Sequence, residues 1–428
     1  MVFLRYRMEQ TKVGSKRWGL PVVLLVTLLI AYLDRLNLSL ALPKIAEEFG
    51  WTDAQIGEWG GLLISIFFVG YGLTNMFASP LGEKIGARKS LIIIIILFSF
   101  FTAITPTVST LFIAFVAVRF LLGIGEGIHF PMMSLLTKTW FPPKERSRAN
   151  GIWVSGVMWS TIVAPLLLVP VIGWLGWRGM FYFLGIMGVL ISIPLVYFFV
   201  FNSPRKHPRM TESEADYIEG NMEPEDEVEE RFGAQIKVIA KKPTYWVLML
   251  AGIMNNMAAY GLIMWLPTYF VRERGLDFGK LTFVASIPYL FSILGIGVMA
   301  YLGDRTGKRS LMAGIGYIIT AVITYFAATA PTIPMTVALF SAAIFFQMGF
   351  TTNEFAILQH ILPKERVGTG TGFYNGMAML IGGGVGPIIV GQVVSMTGGS
   401  YTAGIMTLMI MAFLCGVIML ILSRLVKY

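Results

Sequence analysis

One cysteine, Cys415, and three histidines, His129, His207 and His360, are all that this chain of 428 residues offers as soft metal ligands. A lone cysteine excludes an intrachain disulfide framework and a cysteine-rich metal site. The histidines are scattered and lack the His-Glu-x-x-His spacing of a zinc hydrolase. No nucleophile–base set stands out, so the sequence does not read as an enzyme. Charge is scarce too. Asp, Glu, Lys and Arg together make up 13% of the residues, about half the share usual in soluble domains.

What is abundant is apolar: 56% of residues are hydrophobic, and the mean hydropathy is +0.71. Such a chain cannot hide its apolar side chains in one aqueous core, and its composition points to an all-α polytopic membrane protein. Twelve apolar segments can be drawn, at 18–42, 59–79, 90–106, 110–137, 149–172, 179–201, 243–270, 281–302, 311–329, 334–360, 369–395 and 402–424. A membrane helix needs about 20 residues. A membrane β-strand would alternate apolar and polar positions, and runs such as "SLIIIIILFSFF" from Ser90 do not. The first run is too long for the h-region of a signal peptide and lacks a small-residue cleavage site.

The net charge of +9 is explained by topology rather than by nucleic acid. With the amino terminus placed in the cytoplasm, the inside connectors hold 26 of the 33 Lys and Arg, the outside connectors 5, and Arg35 and Arg119 lie within segments. This is the positive-inside pattern, with both termini cytoplasmic. Residues 202–242 read as a cytoplasmic linker between an amino-terminal half, 1–201, and a carboxy-terminal half, 243–428. Thr211 and Glu214 form the pattern of a capping box for a helix around 211–219. The acids of Glu223 to Glu230 read as a solvated tract.

The halves repeat each other. "SPLGEKIGARKSL" from Ser79 aligns with "AYLGDRTGKRSL" from Ala300, pairing Gly82 with Gly303, Glu83 with Asp304, Gly86 with Gly307 and Arg88 with Arg309 at an offset of 221. "PKERSRANGIWVSG" from Pro143 aligns with "PKERVGTGTGFYNG" from Pro363 at an offset of 220. Two motifs at nearly one offset indicate duplication, and parallel six-helix repeats are a transporter architecture. Glycines permit a tight turn, and an acid there can sit at a helix end. These eight residues are expected to brace a conformational state rather than touch substrate.

The paired loops resemble the loop signature of the major facilitator superfamily, with Glu83 in place of the usual Asp and Ser79 in place of the usual Gly. "YLDRLN" in segment one and "RFLLGIGEGIHFPMMSLLTKTWFPPKERSR" from Arg119 are similar to the anion:cation symporter family, which includes bacterial sugar-acid transporters, sialin and vesicular glutamate transporters. The resemblance implies twelve helices in two pseudo-symmetric halves, a site between them near mid-membrane, and alternating access. It implies that Asp34, Glu126, Arg35 and Arg119 match positions of coupling and substrate recognition. Tyr32, Tyr71 and Asn375 match its tyrosines and asparagine. Glu354, in "GFTTNEFAIL", departs from the sugar-acid members, which carry an uncharged residue there.

Five strong charges fall at membrane depth: Asp34, Arg35, Arg119, Glu126 and Glu354. Each costs about 2.5–3.5 kcal/mol on an insertion scale, so they should face a cavity or one another. Arg119 and Glu126 are two helical turns apart and share a face, with Gly123 between them leaving room for substrate or a close helix approach. A guanidinium offers a carboxylate a planar fork of donors. Burial favours the neutral form of a carboxyl group, and a neighbouring arginine favours the charged form. The expected division is therefore Asp34 and Glu126 for protons, and Arg35 and Arg119 for the anion or for charge compensation. Adjacent Asp34 and Arg35 point about 100° apart on a helix, so which of them faces the cavity stays open. Glu354 is either a third proton site, a partner for a cationic group on the substrate, or an acid near the end of its helix. His129 either tunes Glu126 or packs between helices. Asn37, Asn255, Asn256 and Tyr260 add polar contacts or helix–helix glue. "IGGGVGP" from Ile381 lacks the Gly-Lys-Ser/Thr ending of a phosphate loop and reads as close packing or a hinge.

The expected function is proton-coupled symport of a small organic anion, a sugar acid or other carboxylate. Sodium coupling, exchange, a zwitterionic substrate, or a non-transporting receptor of the same fold are the alternatives. No cofactor or metal is expected beyond the coupling ion, H⁺ or Na⁺. The partners are the anion, protons and the lipid bilayer of the plasma membrane, with no nucleic acid, and the chain is expected to be a monomer.

Overall fold

Gly176 decides how many times the chain crosses the membrane. Among the residues described by the computed structural model, 14–222, 232–362 and 367–426, eleven continuous helical stretches are long and apolar enough to span a bilayer. One of them, Pro143–Phe199, has 57 residues and would extend about 85 Å at 1.5 Å per residue, far beyond a hydrocarbon core of about 30 Å. It is two helices. Gly176 sits at φ 71° and ψ 169°, a region open to residues without a side chain, and the chain doubles back there.

Twelve spans result: α1 Gly19–Phe49, α2 Gly61–Phe77, α3 Ala87–Val108, α4 Phe112–Glu126 continued by His129–Trp140, α5 143–175 and α6 177–199. They are followed by α7 Pro243–Thr268, α8 Ile287–Thr306, α9 Arg309–Thr329, α10 Ile333–Ile361, α11 Val367–Met396 and α12 Tyr401–Leu425. Several spans depart from straight helices, α6 among them, with π-helical turns at Gly188–Ser192. α4 breaks just after Glu126, where Asn75 Nδ2 donates to the Gly127 carbonyl at 3.0 Å. α11 passes through wider π-helical turns at Ala378–Gly383, leading into its glycine run, the kind of local irregularity that recurs at functional sites.

Side-chain-free surfaces set the helix spacing. A Cβ added to Gly123 would lie 2.0 Å from the Phe67 carbonyl oxygen, so that glycine serves the close approach of α4 to α2. Between the halves, a Cβ on Gly391 would lie 2.1 Å from the Gly57 carbonyl. The halves meet chiefly where α2 runs along α11 and α1 touches α7.

One end of the bundle is basic, with Arg17, Arg88, Arg146 and Arg309; the far end holds Glu48, Asp53, Gly176 and Arg272. At the basic end the linker departs from its expected character. Thr211 caps the helix Glu212–Gly220, but Glu214 does not close a box with it. Its carboxylate, fully buried, accepts instead from the backbone N–H groups of Lys16 and Arg17 at 3.1 Å each, and pairs with the Arg17 guanidinium at 2.9 Å. Arg17 also grips Glu145 with two bonds of 2.9 Å. The acid thus caps the start of α1, where unpaired N–H groups favour negative charge. Residues 223–230 lie outside the described residues.

The two signature loops sit at the basic end. In the first, Gly86 has φ 93° and the Arg88 guanidinium donates to the Tyr197 carbonyl of α6, while Glu83 is exposed. A Cβ on Gly82 would meet Ile128 and Met132 at 3.0 Å. In the second, Gly307 has φ 66°, Arg309 pairs with Asp304 at 2.8 Å, and Gly303 abuts Asn353.

Candidate functional site

A cavity of about 150 Å³ lies between the halves. Its walls come from α1 (Tyr32, Arg35, Leu36), α5 (Val157, Met158, Thr161), α7 (Asn255, Asn256, Tyr260), α8 (Tyr289, Ser292) and α10 (Gln347, Thr351, Glu354). A seal closes it toward the far end. Ser39 Oγ donates to the Met264 carbonyl at 2.6 Å, and Ser286 Oγ to the Ile162 carbonyl at 3.0 Å. Beyond them, Asp53 accepts from Arg272 Nε at 2.8 Å and from the Tyr401 hydroxyl at 3.1 Å. On α1, α5, α7 and α8 alike, the polar cavity residues lie on the basic side of this seal.

Arg35 is the cation on the wall. Its Nη2 contacts Glu126 Oε2 at 3.1 Å. Its Nε and Nη1 have no hydrogen-bond partner among the described residues. The guanidinium carbon lies 4.1 Å from the Tyr32 ring centroid and 4.4 Å from that of Tyr71, in range for cation–π attraction. Asp34, one residue earlier, is off the cavity wall and, like Arg35, interacts with the Glu126 carboxyl group. Thr102 Oγ1 of α3 lies 2.7 Å from both of the Asp34 oxygens, and Asn37 Nδ2 donates to Asp34 at 2.9 Å. Asn37 then bridges to Arg119, whose Nη1 is 3.5 Å from Asn37 Oδ1 and whose Nε donates to the Leu63 carbonyl at 3.3 Å. Phe67 lies between the two guanidinium groups, 5.4 Å from Arg35 and 5.2 Å from Arg119.

Of the two arginines, Arg35 lines the cavity, and Arg119 stands behind it. Tyr32 and Glu354 also line it. Tyr71 is buried against Arg35 and supports it from behind. Asn375 is half-buried on α11 and is not among the lining residues. His129 is buried next to Phe98, with Nε2 unbonded among the described residues. On the opposite wall, Tyr374 donates to Glu354 Oε1 at 2.6 Å, and Tyr317 bonds Asn255, which in turn donates to Asn256 at 3.0 Å.

Residues 24–297 and 272–427 match the Major Facilitator Superfamily. The chain belongs to that superfamily. The twelve-helix, two-half architecture is that of the superfamily. The chain is 27% identical over 410 residues to the probable galactarate/D-glucarate transporter GudP of Escherichia coli, covering 90% of this chain and 88% of that protein. It is 29% identical over 397 residues to the probable L-galactonate transporter of the same organism, covering 91% and 85%. Against the chloroplastic ascorbate transporter of Arabidopsis thaliana, 27% identity extends over 71% of this chain but 56% of that protein. The chain therefore spans about half the length of its chloroplast relatives. In fold, it superimposes on a bacterial homologue of the lysosomal transporter Spinster with a TM-score of 0.77 at 18% identity, covering 96% of this chain and 98% of the other.

Within this superfamily member, several wall and support residues escape a reading of sequence: Thr102, Tyr374, Gln347, Thr161 and Ser292. Membrane threonines and serines commonly satisfy themselves by bonding to a carbonyl three or four residues back, as Thr105 does to Phe101 at 2.8 Å. Nothing in its local sequence distinguishes Thr102 from Thr105. The two signature loops line no part of the cavity.

Proposed function

We propose that the chain is a secondary transporter that couples protons to the movement of a small organic anion. The observation that carries this reading is Arg35: a buried guanidinium on the cavity wall, held by Glu126 through one nitrogen and without a hydrogen-bond partner at two others. A carboxylate in the cavity has beside it a fork of donors with two nitrogens unbonded, and it competes with Glu126 for that fork. A proton on Glu126 removes the competitor, so proton and anion bind together and leave together. Asp34 is the second proton site. It communicates with Arg119 through Asn37, so its charge and that of Arg119 balance away from the substrate.

The positive-inside pattern makes the basic end cytoplasmic, and the sealed far end then makes this an inward-facing state. The protein works as a monomer in the plasma membrane, with both termini inside. Relatives named for galactarate, glucarate and galactonate support a carboxylate with hydrogen-bonding groups along its chain, which the amides and hydroxyls of α7, α8 and α10 can receive.

Uptake of labelled galactonate, glucarate and other carboxylates into proteoliposomes tests the reading, with pH and sodium gradients imposed separately. Accumulation should follow the pH gradient and vanish in Glu126→Gln. Accumulation that follows sodium alone, or a Glu126→Gln protein that still concentrates substrate, would overturn it.

A further inference from the structure

Glu354 takes no part in the coupling scheme, yet it is the acid with the best access to the cavity. Of the three carboxyl groups at membrane depth, Asp34 and Glu126 are 1% and 0% exposed, whereas Glu354 is 8% exposed and on the wall. Its Oε1 is fixed by the Tyr374 hydroxyl. No ion pair joins it to a cationic side chain among the described residues. The formal charges make the same point. Three acids (Asp34, Glu126, Glu354) face two bases (Arg35, Arg119). Arg35 answers Glu126 directly, Arg119 answers Asp34 through Asn37, and the charge left over is on Glu354. When Glu126 takes its proton and frees Arg35, Glu354 still stands on the wall with no cation of its own among the described residues, and an unpaired carboxylate is costly where solvent is excluded.

We propose that Glu354 binds the ammonium group of the substrate whose carboxylate Arg35 holds, so that the preferred cargo is zwitterionic, an amino acid or an amino-sugar acid. This rests on the reading above of Arg35 as the carboxylate site. The two charged walls belong to opposite halves, α1 and α10. A zwitterion therefore bridges the halves, and Asn255, Asn256 and Gln347 between them accept and donate along its length. Tyr374 holds the carboxylate in place without neutralising it, leaving the compensating cation to arrive with the cargo.

The test uses matched pairs that differ in one group: glucosaminate and gluconate, glutamate and hydroxyglutarate, alanine and lactate. Binding to the purified full-length protein is followed by calorimetry and thermal shift. In at least one pair the amino member should bind about tenfold more tightly, roughly 1.4 kcal/mol. Glu354→Gln keeps the size and the Tyr374 bond, and should erase the preference, weakening the amino member and no longer penalising the hydroxy member. Glu354→Asp should restore part of it. Equal or tighter binding of the hydroxy member in every pair overturns the proposal and assigns Glu354 a proton instead, with the anion reading intact. A preference that survives Glu354→Gln also overturns it. Should glucamine, which has the amine and no carboxylate, bind as well as glucosaminate and be indifferent to Arg35→Gln, the anion reading fails while the Glu354 site stands. Binding of neither member in any pair counts against both.

Discussion

The two halves arose from one pattern and bury charge very differently. The amino-terminal half holds Asp34, Arg35, Arg119 and Glu126 on α1 and α4, tied together by Asn37, Thr102 and a shared Phe67 ring. The carboxy-terminal half holds Glu354 alone at that depth, among neutral amides and phenols. The loops differ as well: Arg309 pairs with Asp304 in its own loop, while Arg88 reaches a carbonyl of α6. Duplication preserved the helices and the turns, which depend on glycine and apolar pattern. The charges, each costly in a membrane, remain where a partner or a ligand compensates them. One half thus sets two cations beside two acids, and the other sets one acid among neutral groups.

The sharpest break of this contrast is Arg35→Gln. Uptake should fall by about 100-fold, roughly 2.7 kcal/mol, and Arg35→Lys should rescue little, since a point charge lacks the fork and stacks poorly between Tyr32 and Tyr71. Initial rates in proteoliposomes check this; a near-normal Arg35→Gln would move the anion site elsewhere. Next come Asp34→Asn and Glu126→Gln. Each should abolish uphill accumulation yet retain exchange of labelled for unlabelled substrate, and Gln347→Ala in the other half should change affinity and leave coupling alone. Loss of coupling in Gln347→Ala would erase the division between halves.

A smaller effect is expected at the interface itself. Gly391→Leu places a side chain against the Gly57 carbonyl and should loosen the far-end seal. Cysteine labelling at the far end, in a Cys415→Ser background, should then rise several-fold; unchanged labelling would mean that the helices part without it. Smallest is Asp53→Asn. Its pair with Arg272 is partly exposed, 32% and 39% by side chain, and such pairs are worth about 0–1 kcal/mol. Transport should stay within a few-fold of normal, and a large loss would show that the seal depends on this one contact.

Much of the fold was legible because membrane helices announce themselves locally: a run of apolar residues, a basic connector, a glycine pair at each repeat. The break between α5 and α6 falls in the gap between the segments drawn at 149–172 and 179–201. The charged group at mid-membrane was equally visible, since any charge there stands out. Its wiring was not. Thr102 lies 68 positions from Asp34, and a threonine's choice between its own helix and a neighbouring one leaves no local trace. Glu214 shows the same limit. Spacing paired it with Thr211, but in three dimensions the start of α1, 197 positions away, has the greater need for an acceptor. Which of Asp34 and Arg35 faces the cavity depends on the rotation of α1 about its axis, set by packing against α5 and α7.

The buried carboxylate of Glu214 has a consequence for motion. It fastens the linker, through Asn221, to the amino-terminal half. On the other side, Ile239 is buried near Gly370, and Lys242 Nζ holds the Ile361 carbonyl at 2.7 Å, fastening the rest to the carboxy-terminal half. The linker is therefore not free over the whole of 202–242: its first part belongs with the amino-terminal half and 239–242 with the carboxy-terminal half.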